Sequence, residues 1–356
     1  MLENVFDNYG NQYALSDIII PQENSTVQNR FVDTSCDSGI FRLHFTTGSG
    51  MLNGDIDAVA RRAVVCQVFH DISEFITTPL KNLGNNNRIE IWIRGINDLT
   101  QNNNVLGMAS SFYTIPVSTN ITGASIVDNE IWKTIQSGVD SYTNVTNPIL
   151  SQIDINSSGA IFYHGMVAIN FDNINWNLNL NTNANATQID LYTVVLHEVT
   201  HALGFASLLN QNGTSRFGTN FNYLSRYDMF LKTNLNQTVI SSPNGCNLLY
   251  NYNLNVNQDF LHPGCTAPNN VDDANPNSNN TNCLNALRFT GFNTTTPVEV
   301  YTPQCFEEGS SFSHFEDQCF INQVTGNAFG DDAYFVMSNS NGTGVTKRHL
   351  TLESKP

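Results

Sequence analysis

Two histidines and a glutamate stand together in His197-Glu198-Val199-Thr200-His201, inside the apolar stretch Leu191–Phe205. On a helix, residues four apart share a face one turn apart. Both imidazoles can therefore reach one metal ion from the same side. Glu198 lies about 100° further round the helix, close enough to hold a water on that metal without binding it. These residue types at this spacing suit peptide hydrolysis assisted by one catalytic Zn²⁺, with Glu198 as the base. The competing reading is a chance match on a core helix. It carries less weight, because burying such polar groups unpaired costs of order 2–7 kcal/mol each, and a metal removes that cost.

The segment reads as a helix without reference to the motif. Leu191, Val195, Val199 and Ala202 recur at helical spacing. Thr187 is placed as N-cap, with Asp190 three residues on, and Gly204 suits the stop. Upstream, Phe41, Leu43 and Phe45 alternate with polar residues in a strand over 39–46, and a helix follows over 55–76. Further strands are expected at 88–94, 105–115 and 159–172, the last with its core at Met166–Phe171, and a short helix at 125–137. This order predicts an α+β fold: a twisted mixed sheet backed by two helices. Residues 1–38 read as a partly extended lead-in, 39–206 as the subdomain with the sheet and the His-Glu helix, and 207–356 as a loop-rich, disulfide-prone subdomain. The cleft for the metal lies between the last two.

A catalytic zinc usually takes three protein ligands and keeps one open position. A third histidine at 207 would complete a compact pattern, but position 207 is Ser. His44 and His70 sit on a strand and a helix and read as surface or core histidines. His164 precedes a strand, His262 lies in a Pro/Gly loop, and His349 is close to the last residue. His314 stands in Gly309-Ser-Ser-Phe-Ser-His314, small polar residues that permit a tight approach to a metal, and Met337 ends an apolar run shortly after it. A Met beneath a histidine cluster provides an apolar, polarisable floor. On their own, His314 would read as a solvated loop residue and Met337 as core; beside the helix motif, His314 is favoured as the third ligand. Asp228 and Glu316 are the alternatives.

Leu196-His-Glu-Val-Thr-His-Ala-Leu-Gly-Phe205, the distant Ser310-Ser-Phe-Ser-His314 and the later Met337 resemble the metzincin-type zinc metallopeptidases. The pattern is most similar to the leishmanolysin-like and related secreted bacterial enzymes, and it covers mainly residues 39–345. The resemblance implies a long insertion between the second and third histidines, a Met-turn at Met337, and a substrate cleft bordered by the Met166–Phe171 strand. Ser207 departs from the compact form of the pattern.

Composition narrows the classes further. The chain has 356 residues and a net charge of −16 with only 13% charged residues, so its polarity comes from Asn, Ser and Thr. Such an acidic chain is a poor nucleic-acid binder. No apolar run is long enough for a membrane span. Seven cysteines, five of them in the last third and none in a C-x-x-C pair, point to disulfides rather than a cysteine metal site. Met1-Leu-Glu-Asn shows no basic or apolar leader; the composition favours a secreted or cell-surface protein without its export signal. Asp172, Asp331 and Asp332 are candidates for Ca²⁺, but no spaced binding loop accompanies them, and solvated carboxylates are the better reading. The function expected is a secreted zinc endopeptidase acting on protein or peptide substrates. The alternative is an extracellular binding or adhesion protein with a structural zinc, against which the carboxylate of Glu198 argues. A third arrangement has residues 1–38, or Cys36, covering the metal; pairing of Cys36 with another cysteine is the favoured reading.

Overall fold

Alternation of apolar side chains builds the central sheet of this computed structural model. The structure describes residues 4–20, 32–76, 88–100, 104–115, 123–143, 161–210, 213–218, 221–233, 236–241, 249–250, 287–291, 298–301, 309–315, 336–338 and 343–347. Five strands form the sheet: β1 (Val32–Ser38), β2 (Phe41–Thr46), β3 (Ile89–Gly95), β4 (Gly107–Ser111) and β5 (Gly165–Ile169). Their spatial order is β1-β2-β3-β5-β4. β2, β3 and β5 run parallel to one another, and β1 and β4 run antiparallel at the two edges. Phe41, Leu43, Phe45, Ile89, Ile91, Ile93 and Val167 put one face of the sheet into the main core.

Two helices cover that face, α1 (Ala58–Glu74) through Val65, Val68, Phe69 and Ile72, and α3 (Leu191–Ala202) through Leu191, Val195 and Val199. A third helix, α2 (Glu130–Ser137), lies between them in sequence. Phe75, inside the span expected to be helical, is half exposed just past the helix end. Cys36 of β1 and Cys66 of α1 form a disulfide across a separation of 30 residues, worth about 3–4 kcal/mol in the chain-entropy picture. It removes Cys36 from any role over the metal site. The cysteines after 210 lie outside the described residues. Overall the chain is mixed α+β with few helices and several small sheets. Among the described residues no helix is long and apolar enough to cross a membrane.

The first 38 residues do more than lead in. β1 belongs to them, and Val5, Ile18 and Ile20 pack with Trp92, Phe112 and Met166 in a second cluster. Odd residues of β3 face the helices and even ones face this segment, as the strand period of two requires. Beyond Phe230 the described strands are short: Leu231–Lys232 with Arg288–Phe289 and Val298–Glu299, and Ile240–Ser241 with Leu249–Tyr250. A separate core of Leu224, Tyr227, Leu231, Val239, Val300 and Phe312 holds them.

Long-range pairing overrides local pattern at four places. The helix expected over 125–137 divides into a strand, Gly123–Val127, and α2, because the strand pairs in parallel with Phe221–Ser225. Asn129 then caps α2, accepting from the Trp132 N–H at 2.7 Å. The strand expected over 105–115 breaks at Phe112, whose N–H goes to His164 and whose carbonyl goes to Glu130. Thr187 does not cap α3. Ile189–Asp190 pairs with Trp176–Asn177 and keeps the chain extended to Asp190, and the Asp190 carboxylate caps the helix through the Thr193 N–H at 3.0 Å. Finally, the Met166–Phe171 region does not border the cleft as an edge. β5 is flanked by β3 and β4 and has both hydrogen-bonding sides occupied; the edge strand on that side is β4.

Candidate metal centre

α3 is buried nearly all round, as a helix driven through a core must be. Its two histidines point to the one side that opens into a cleft of about 770 Å³. Leu203 ends the helix, and Gly204, at φ 113°, turns the chain back through a conformation that glycine adopts freely. The turn brings the Phe205 carbonyl to His201 Nδ1, at 2.7 Å. Ser207, where a compact pattern would have its third histidine, instead donates its backbone N–H to Ser313 Oγ at 3.0 Å. That bond draws in the loop carrying His314.

The loop is tight. Phe312 adopts φ 68°, unusual for a bulky residue, and its ring is buried in the C-terminal core. His314 Nδ1 reaches Ser310 O at 2.8 Å, and the His314 carbonyl accepts from Tyr301 N–H at 2.8 Å. Met337 arrives through its backbone: its carbonyl accepts from Phe315 N–H at 2.8 Å, and the preceding carbonyl, of Val336, accepts from His197 Nδ1 at 2.6 Å.

His197, His201 and His314 thus converge, and they form the one group among the described residues in which three ligand atoms of metal-binding type meet. Their Nε2 atoms make a triangle with all three sides 3.1 Å. Each Nδ1 faces a backbone carbonyl. Because a carbonyl only accepts, each Nδ1 carries the proton and each Nε2 presents a lone pair. Three lone pairs at 3.1 Å cannot satisfy one another, and a cation satisfies all three. Tetrahedral coordination with bonds of about 2.0–2.1 Å separates ligand nitrogens by roughly 3.3–3.4 Å, close to the triangle. The group can bind a metal ion.

Burial sets the charge state. It lowers the His197 imidazole to about 4 and the His314 imidazole to about 3, and it holds His201 well below the ordinary value. The three are neutral at pH 7, as ligands must be. Burial pushes Glu198 the other way, to about 8, so without a metal its carboxyl is mostly protonated at pH 7. A cation beside it favours the charged form. Loading a divalent metal at pH 7 is therefore expected to release about one proton, from Glu198, and markedly less in Glu198→Gln. Calorimetry in buffers of different ionisation enthalpy measures this. Release of two or three protons would mean that the histidines are charged in the metal-free protein.

The other candidates are engaged elsewhere. Asp228 is fully buried and accepts from Ser207 Oγ, Leu208 N–H, Ser225 N–H and Ser225 Oγ; it organises the turn after α3 rather than a metal. His44 pairs with Glu90 at 2.5 Å and His164 with Asp140 at 3.2 Å, while His70 is half exposed near Glu74. Asp172 is outside the metal group. Glu316, His262, His349, Asp331 and Asp332 lie outside the described residues.

Two site residues carry no signal in the sequence motif. Gly107 of β4 passes so close to Glu198 that a Cβ there would lie 2.9 Å from Glu198 Cγ and 3.0 Å from Oε1. Tyr9, far away in sequence, lines the same cleft. Gly107→Ala is expected to leave metal content unchanged and to displace the Glu198 side chain, which a crystal structure of the variant measures. An unmoved Glu198 would show that the backbone of β4 yields instead. No protein-family model, no curated protein and no solved structure matches this chain.

Proposed function

We propose that this chain is a secreted zinc-dependent endopeptidase of metzincin type. The observation that carries the reading is the 3.1 Å triangle of unprotonated Nε2 atoms beside a buried carboxyl that is not part of it, both facing one open cleft. His197, His201 and His314 are the zinc ligands, and their Nδ1–H bonds to carbonyls fix ring orientation and raise ligand basicity. Zinc bound there supplies a Lewis acid that polarises the scissile carbonyl and makes water acidic.

Glu198 moves the proton. Burial raises its pKa and a neighbouring cation lowers it again, so beside bound zinc the carboxylate is free to take a proton from water and return it near neutrality. It accepts a proton from the attacking water as that oxygen bonds to the carbonyl carbon. It then gives the proton to the amide nitrogen as the C–N bond breaks. Met337 and Val336 stand in the segment that braces His197, the place a Met-turn would take. An extended peptide adds to the edge strand β4 at Gly107, beside Glu198. The structural-zinc alternative is disfavoured, since a structural site takes four protein ligands and this group has three among the described residues.

The test is cleavage of an unfolded protein by the purified chain with and without a zinc chelator. Cleavage that the chelator stops and added zinc restores is expected. Cleavage indifferent to the chelator, or none by zinc-loaded protein, would overturn the reading.

A further inference from the structure

The outward groups of β4 can be identified from its register. Leu106 O accepts from Asn170 N–H, Phe112 N–H goes to His164 O, and Met108 pairs with Ala168. In an antiparallel ladder residues alternate in direction, so the even residues of β4 face β5, while Gly107 and Ala109 turn their N–H and C=O to the open side. An added peptide strand would use these groups.

The N-terminal segment already occupies part of that side. Asn4–Phe6 pairs antiparallel with Tyr113–Ile115, which continues the line of β4. Asn8 N–H then reaches Ser110 Oγ at 2.6 Å, and Tyr9 OH donates to Ala109 O at 3.3 Å. The segment thus follows the edge back from Ile115 to Ala109 and stops there, one outward residue short of Gly107. Among the described residues the outward groups of Gly107 have no such partner.

The tip that presents Tyr9 is rigid. The Asp7 carboxylate accepts from Tyr9 N–H, Asn11 N–H, Asn11 Nδ2 and Tyr13 OH, at 2.9–3.1 Å. Gly10, at φ 86°, turns the chain tightly against Arg216, where any Cβ would strike the Arg216 carbonyl. On the other side of the cleft a Cβ at Gly309 would sit 3.9 Å from Tyr9 Cε1. The Tyr9 ring therefore spans from the edge strand to the loop that carries His314. Burial, with the Glu198 carboxylate nearby, pushes its phenol well up, so it remains a hydrogen-bond donor.

We propose that Tyr9 is a specificity-determining residue, an end wall that halts strand addition at Gly107 and makes an extended peptide substrate leave the edge there. This rests on the peptidase reading above. On the Tyr9 side only the residues next to the scissile bond contribute to recognition, and longer substrates gain contacts on the other side.

The test uses one cleavable sequence lengthened by one to four residues on either side of the scissile bond, with the zinc-loaded protein. For the wild type, kcat/KM is expected to rise with length on one side and to level off after one or two residues on the other. In Tyr9→Ala the long-to-short ratio on the levelled side should rise roughly 2- to 12-fold, the worth of one recovered backbone hydrogen bond. Tyr9→Phe, which keeps the ring and loses the hydroxyl, should retain the wild-type plateau. Equal gains on both sides in the wild type, or a Tyr9→Ala ratio identical to it, would overturn the proposal. If Tyr9→Ala fails to load zinc, Tyr9→Leu gives the same comparison with the packing better preserved. Absence of all cleavage, by contrast, would remove the peptidase reading itself, and this proposal with it.

Discussion

Glu198→Gln is expected to bind zinc as the wild type does and to lose roughly 10²–10⁴-fold in kcat, about 3–5 kcal/mol of barrier. The amide matches the carboxyl in shape and leaves the three-histidine triangle intact, since Glu198 is not one of its members. It cannot take a proton from water or return one to the leaving nitrogen. The loss should fall on kcat more than on KM, because the interaction removed exists chiefly in the transition state. Metal analysis and peptide-cleavage kinetics on the same sample separate the roles. Full activity would move the base to another residue, and loss of zinc together with activity would make Glu198 part of the metal site.

His314→Ala carries the second large effect. It removes the one member of the proposed ligand set that α3 does not supply, leaving His197 and His201. Loss even of partners outside the ligand set weakens metal sites by about 10–100-fold. Removal of a ligand is expected to exceed that and to abolish activity at micromolar zinc. The sheet and its two helices should persist, since their core does not include the 309–315 loop, and far-ultraviolet circular dichroism checks this. Dialysis against a metal buffer gives the affinity. Unchanged zinc affinity in His314→Ala would reassign the third ligand, with Glu316 the remaining candidate from the sequence; Asp228 is already committed to the Ser207–Ser225 turn.

Much of this site is local, and what is local was legible. Helical spacing alone places His197 and His201 on one face, and burial of an otherwise apolar helix explains why they need a partner. The strand over 39–46 and the helix over 55–76 follow from periodicity, and α1 and β2 fall within those limits. His314 was legible only in combination with the helix motif, because a small polar segment has many uses. Its convergence depends on Ser207 reaching Ser313 across more than a hundred residues.

The misread elements share one physical cause. Thr187 reads as a cap and 125–137 as a helix from neighbours in sequence, and the resemblance implies a cleft edge at Met166–Phe171, whereas each is decided by a strand arriving from elsewhere. Ile189–Asp190 pairs with Trp176–Asn177, Gly123–Val127 with Phe221–Ser225, and β4 inserts its antiparallel ladder beside β5. Tyr9 and Gly107 were invisible for the same reason. Nothing near Tyr9 in the chain indicates that Asn4–Phe6 will pair with Tyr113–Ile115 and carry it to the cleft.

The most direct test of the central claim is the zinc coordination of the purified protein, read by X-ray absorption together with metal stoichiometry. One zinc per chain with three imidazole nitrogens and one oxygen, the oxygen retained in Glu198→Gln, is the expected result. A fourth ligand from the protein would make the site structural, and a protein that takes up no zinc at micromolar concentration would contradict the metal centre altogether.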